Sequence, residues 1–179
     1  MDLNTHPHGS LDPAPRIGGG LPPAAWEQQA AAWMRQAIAV ADTTPTGDVP
    51  VGAIVVDSAG RIIARGTNRR EADQDPTAHA EVLALRAAAR HLGRWRLDDC
   101  TLVVTLEPCA MCAGAVVGAR LGRLYFGAYE PKTGHVGSVH DTLRDSRALH
   151  PVAARGGILR AACEEQLGRF FQQLRAPLH

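Results

Sequence analysis

Four side chains in this sequence have types and spacing that suit metal chemistry: His79, Glu81, Cys109 and Cys112. One imidazole and two thiolates supply three of the four ligands of a tetrahedral zinc site, leaving one position for water. Zinc held this way lowers the pKa of that water to about 7, so hydroxide is available at neutral pH. Glu81 lies two residues past His79. It is better placed to move protons beside that water than to complete the metal shell. Each half of the pattern is ambiguous alone. Cys-x-x-Cys opening a helix also suits a thioredoxin-like redox centre, or half of a four-ligand structural zinc site. A lone histidine is often a packed core residue. The order His-x-Glu then Pro-Cys-x-x-Cys, with Pro108 before the first cysteine, points to a catalytic site with one zinc per chain.

Two helix starts are needed to bring these groups together. Asp75-Pro76-Thr77 is a start signal with Thr77 as N-cap. The helix is expected over residues 78–91, with Val82, Leu85 and Ala89 facing inward, and His79 and Glu81 in its first turn. Side chains two apart on a helix point about 200° apart, so one ligates while the other flanks. Residues 101–106, Thr-Leu-Val-Val-Thr-Leu, read as a central strand running into Glu107-Pro108-Cys109 and a second helix over 109–120. Cys109 and Cys112 share a face of its first turn, and a helix N-terminus favours the thiolate. Ala110, Ala113, Gly114, Ala115, Gly118 and Ala119 suit close packing on a sheet or, equally, a close helix contact in a dimer.

The remaining elements frame these two. A helix is expected over 24–42, where Trp26, Ala30, Trp33, Ala37, Ile38 and Ala41 recur at three- and four-residue steps. Strands at 51–57 and 61–67, joined by a turn at 58–60, deliver Asn68. Residues 68–77 read as a polar loop. Downstream come a strand at 122–127, a polar loop at 128–134 with the only lysine, Lys132, a helical turn within 141–148 and a short edge strand at 152–154. His135, His140 and His150 have no ligand spacing. The last helix, 158–175, carries Leu159, Cys163, Leu167, Phe170, Phe171 and Leu174 on one side. Phe170 and Phe171 beside Arg169 and Arg175 suit a base-stacking platform or, equally, core. This order predicts an α/β fold: a three-layer α/β/α sandwich with a mixed sheet of about five strands.

A chain of 179 residues is expected to hold one domain. Residues 1–23, rich in Pro, Gly and His, read as a disordered tail, and 24–179 as the zinc domain. Nineteen Lys and Arg against eighteen Asp and Glu leave a net charge of +1, so no strong field points to nucleic acid or membrane. No apolar run approaches the roughly 18 residues of a membrane span, and no secretory signal is seen. Cys100 and Cys163 read as buried free thiols, which fits a reducing cytoplasm.

Residues 49–174 resemble the bacterial tRNA adenosine deaminases, within the cytidine-deaminase-like fold. The resemblance rests on Val-Pro-Val-Gly-Ala at 49–53, Asp-Pro-Thr-Ala-His-Ala-Glu at 75–81, residues 105–114, Phe-Gly-Ala at 126–128, Lys-Thr-Gly at 132–134 and Gly-Ser at 137–138. It implies that His79, Cys109 and Cys112 bind zinc and that Glu81 shuttles protons. It also implies that Asn68 holds the target nucleoside. Lys132 and the 170–175 segment, with Phe170, Phe171 and Arg175, match regions that touch the tRNA anticodon loop. The family works as a homodimer. The implied reaction is hydrolytic deamination of adenosine to inosine at the wobble position, with an arginine tRNA as the expected substrate. The motif at 75–81 is shared with guanine deaminases, so a guanine, cytosine or nucleoside deaminase is the alternative. A zinc-stabilised RNA-binding module without catalysis is a third reading, and Glu81 argues against it. Two departures stand out: no basic tail follows Arg175, and the N-terminal tail has no family counterpart.

Overall fold

The computed structural model describes residues 23–145 and 147–175. Residues 1–22 of the expected tail lie outside the described residues. Pro23, expected as the tail's last residue, opens the first helix, where proline's fixed φ is well placed.

Apolar runs build the centre. Strand β1 (Gly52–Val56) is buried throughout, and β3 (Thr101–Leu106) is buried except at its last residue. With β2 (Ile62–Thr67), β4 (Arg123–Ala128) and β5 (Ala153–Arg155) they form one sheet in the order β2-β1-β3-β4-β5. Strand β1 is antiparallel to both neighbours, while β3, β4 and β5 run parallel. The sheet is therefore mixed and five-stranded, as the sequence predicts.

Alternation along the strands separates two cores. Ala53, Val55, Leu102 and Val104 face a core closed by α3 (Ala80–Leu92) and α4 (Ala110–Gly118). Ile54, Val56 and Val103 face the other, closed by α1 (Pro23–Ala41) and α5 (Arg160–Arg175). Two glycines set how near the helices come. A Cβ on Gly52 would strike Ala37 O and Ala41 N of α1, and one on Gly66 would strike Ala80 O and lie 2.7 Å from Ala84 N of α3. Helix backbone thus rests directly on strand backbone. Among the described residues no helix is long and apolar enough to cross a membrane.

Several local expectations are corrected. A one-turn helix α2 (Arg70–Asp73) stands within the expected 68–77 loop. Its first N–H groups, on Glu71 and Ala72, donate to the buried carboxylate of Asp48 at 3.0 and 3.1 Å. Helix α3 starts at Ala80, with His79 as N-cap. Thr77 instead hydrogen-bonds Asp75 through both its backbone N–H and its hydroxyl. The inward face of α3 is Ala80, Glu81, Ala84, Leu85 and Ala88; Val82 and Ala89 are half-buried. Among the described residues of 141–148 no helix forms: the N–H of Ala148 donates to Asp145 O at 2.9 Å in a single turn, and the Asp141 carboxylate is held by Arg144. The expected apolar side of α5 is covered only in part: Phe171 is 44% and Leu174 64% exposed.

Candidate active site

Two chain reversals place the metal-type ligands. His79 and Cys109 are N-caps of α3 and α4, both with extended backbone (φ −80°, ψ 149° and φ −74°, ψ 177°), and neither side chain caps its own helix. Both are free to point at one spot. Cys112, one turn into α4, joins them. His79 Nδ1 lies 3.5 Å from Cys112 Sγ and 3.8 Å from Cys109 Sγ. The three ligand atoms all fall within 4.8 Å of one another, the one such cluster of three or more His, Cys, Asp or Glu among the described residues.

The electrostatics suit a cation. Hydrogen bonds from Cys112 and then His79 hold the Cys109 thiol down at about 3, so it stands as a thiolate. The hydrogen bond to Cys109, with burial, pushes Cys112 up. Contact with Cys109 raises His79. One imidazole and two sulfurs, one already ionised, form a donor set that fits zinc. Burial raises the carboxyl of Glu81, which is 4% exposed.

A cavity of about 300 Å³ opens here, lined among others by Asn68, His79, Glu81, Glu107, Cys109 and Phe171. Asn68 is pinned: its Oδ1 accepts the N–H of Ala80 and its Nδ2 donates to Val49 O, each at 3.0 Å. Phe171, the exposed member of the aromatic pair, forms part of the wall. Phe170 packs edge-on to it at 5.4 Å, outside the lining. Lys132 is exposed and also outside the lining, although Glu130 and Thr133 of its loop belong to it. Arg175 ends α5, exposed and away from the cavity.

The matching family is now definite, since residues 27–128 fit the zinc-binding region of cytidine and deoxycytidylate deaminases. The chain belongs to that deaminase family. This deaminase is 45% identical over 143 residues to a tRNA-specific adenosine deaminase of Haemophilus influenzae, covering 79% of the chain and 83% of that relative. It is 44% identical over 144 residues to one from Bacillus subtilis, covering 80% and 89%. Its fold matches a solved structure from work on A-to-I editing by tRNA:A34 deaminases, at 39% identity and a TM-score of 0.72, over 75% of this chain and 98% of that one. A guanine deaminase from Nitrosomonas europaea matches at 27% identity and a TM-score of 0.68, over 84% and 93%. The expected sandwich and the zinc-type donor cluster are therefore those of a zinc deaminase domain.

Sequence reasoning passed over one cavity residue of this deaminase. Glu107 is 2% exposed. Burial alone would raise its carboxyl, but hydrogen bonds from Ser138, Glu130 and Val136 outweigh it and hold the group below its ordinary value. The signal available was a glutamate between a buried strand and a proline, in the same segment as two ligand-type cysteines.

Proposed function

We propose that this deaminase converts adenosine to inosine at the wobble position of a tRNA, releasing ammonia. The supporting observation is identity: 45% to a tRNA-specific relative along most of both chains, against 27% to a guanine deaminase of the same fold. An arginine tRNA is the proposed substrate.

His79, Cys109 and Cys112 would hold one zinc ion. Such an ion, when bound, supplies an acidified water as nucleophile and Lewis acidity. The chain's own residues do the rest. Glu81, raised by burial, takes a proton from the attacking water and passes it to N1 of the adenine; it then takes the proton of the new C6 hydroxyl and delivers it to the departing amino group, so that the C6–N bond breaks and ammonia leaves. Adenosine and water become inosine and ammonia, and the carboxylate is regenerated. Asn68 holds the nucleoside with the amide N–H left over from its two fixed hydrogen bonds. Phe171 offers a stacking face, and Phe170, Lys132 and Arg175, outside the cavity lining, are the proposed further contacts to the anticodon loop. A splayed base in a single-stranded loop enters at little unstacking cost.

The proposed deaminase domain begins with α1 at Pro23, and residues 1–22 are proposed to be a tail outside it. The enzyme works as a homodimer in the cytoplasm. Support for the dimer comes from the uncovered face of α4, where Met111 is 37% exposed and a Cβ on Gly114 or Gly118 would meet nothing within 4 Å. Support for the compartment comes from the free buried thiols Cys100 and Cys163. The test offers zinc-loaded protein an anticodon stem-loop with adenosine at the wobble position, then free adenosine, guanine and cytosine. Inosine in the stem-loop is the expected result; ammonia from a free base and none from the stem-loop would overturn it.

A further inference from the structure

The Glu107 carboxylate lies against the cavity and, among the described residues, forms no salt bridge. Its partners are all in one loop. Oε1 accepts the N–H groups of Val136 and Ser138, both at 3.0 Å. Oε2 accepts the N–H of Glu130 at 3.0 Å and the hydroxyl of Ser138. A carboxylate offers about four acceptor positions, and all are used here. Glu107 is therefore not a spare acid or base for the reaction. It is a four-point fastening for residues 130–138.

The loop is shaped to receive it. Gly134 N–H donates to Glu130 O at 2.9 Å, and His135 N–H donates to Pro108 O at 2.9 Å. Gly134 is needed for space: a Cβ there would sit 2.5 Å from both Glu107 Cδ and Glu130 O. Two loop residues, Glu130 and Thr133, line the same cavity as His79 and Cys109. Glu107 itself follows directly on β3 and stands two residues before Cys109. One rigid segment thus carries both a ligand-type cysteine and the fastening of the opposite wall.

We propose that Glu107 is a positioning residue: it latches the 130–138 loop against the cysteine-bearing segment and so sets affinity for the RNA substrate. The second half of this statement rests on the proposed tRNA reading; the latch itself does not. Lys132 gives the latch its own readout. It is the only lysine in the chain, so a lysine-specific endoprotease cuts the protein at one place, inside the loop.

The experiment uses the zinc-loaded full chain and three variants: Glu107→Ala, Gly134→Ala and Ser138→Ala. Gly134→Ala forces the loop off Glu107 and leaves every cavity carboxylate in place. Ser138→Ala removes a single hydroxyl donor and is the mildest change. Cleavage after Lys132 should accelerate about tenfold or more in the first two and less in the third, because cleavage follows the population of the open loop. KM for the stem-loop should rise several times more than kcat falls, with zinc content unchanged. The double variant Glu107→Ala, Gly134→Ala should be no worse than Glu107→Ala alone, since both release the same latch. Cleavage and KM at parental levels in Gly134→Ala and Ser138→Ala would overturn the proposal. So would a loss confined to kcat. A parent chain that cleaves slowly while failing to deaminate the stem-loop would sink the tRNA reading and leave the proteolysis to judge the latch.

Discussion

The side-chain oxygen of Asn68 accepts the backbone N–H of Ala80 at 3.0 Å, between His79 and Glu81 in sequence. That N–H is one of the orphan donors at the start of α3. A distant residue at the end of β2 satisfies it, so the N-cap side chain, His79, is free for other work. Removing the amide leaves a buried donor without a partner, which costs about 1–3 kcal/mol. Asn68→Ala should lower the urea midpoint of the zinc-loaded protein accordingly, and Asn68→Asp, which keeps the acceptor, should lose less. An Ala variant as stable as the parent would show that the hydrogen bond carries no weight.

Glu81 is the one buried carboxylate of the cavity with no fastening role. Glu81→Gln keeps its volume and removes its proton traffic. The variant should retain about one zinc per chain by elemental analysis and bind the stem-loop normally. Its single-turnover rate should fall by about 10²–10⁴-fold or more, the usual range for a general acid–base group. A turnover rate near the parent's would take Glu81 out of the mechanism.

Three of the thiols should sort by pH. Burial, then the hydrogen bond to Asp99, pushes Cys100 up to about 12, and burial pushes Cys163 up to about 11. Cys109 is held at about 3. Thiolate is the major form only above a thiol's own pKa and falls about tenfold per pH unit below it, so in chelator-treated protein at pH 6 iodoacetamide should label Cys109 and spare Cys100 and Cys163. Zinc should block the label on Cys109. The two raised thiols also tie stability to pH: their contribution is complete below the unfolded value of about 8.5 and is lost as pH climbs towards 11 and 12. Peptide mapping and urea midpoints from pH 7 to 10.5 would read both effects; equal labelling of all cysteines at pH 6 would contradict them.

Glycine substitutions should have opposite outcomes on two helices. A Cβ at Gly66 meets backbone atoms of Ala80 and Ala84, which cannot swing aside as a side chain would. Gly66→Ala should therefore displace the start of α3, cost about 1–3 kcal/mol, and weaken zinc retention. On α4 a Cβ at Gly114 meets open space, and alanine is the better helix former by about 1 kcal/mol. Gly114→Ala should stabilise the single chain while weakening the proposed dimer. Light scattering across a dilution series, set beside thermal melts, separates the two effects.

What could be read from the sequence was local. The run at 101–106 stands between Asp98-Asp99-Cys100 and Glu107-Pro108, and strand β3 takes the expected bounds unchanged. The ligand-type residues were legible because their spacing is short within each motif. The helix starts were misjudged by one or two residues, because a ligand-type N-cap resembles a first-turn residue when only spacing is seen. Helix α2 was missed because its cap, Asp48, lies 23 residues upstream of Glu71. Glu107 was passed over for the same reason: its partners begin 23 residues downstream. On α5 the apolar period identified a face but not what would cover it. Phe171 and Leu174 are both exposed, and the one forms cavity wall while the other meets solvent.

The order of the elements has a consequence during synthesis. His79, Cys109 and Cys112 all precede β4, whereas Phe171 lies in the last helix. At about 5–20 residues per second, the nascent chain carries its three ligand-type side chains for seconds before the aromatic wall exists. The order of synthesis thus leaves an interval in which an ion can be taken up before the aromatic wall of the cavity has been made.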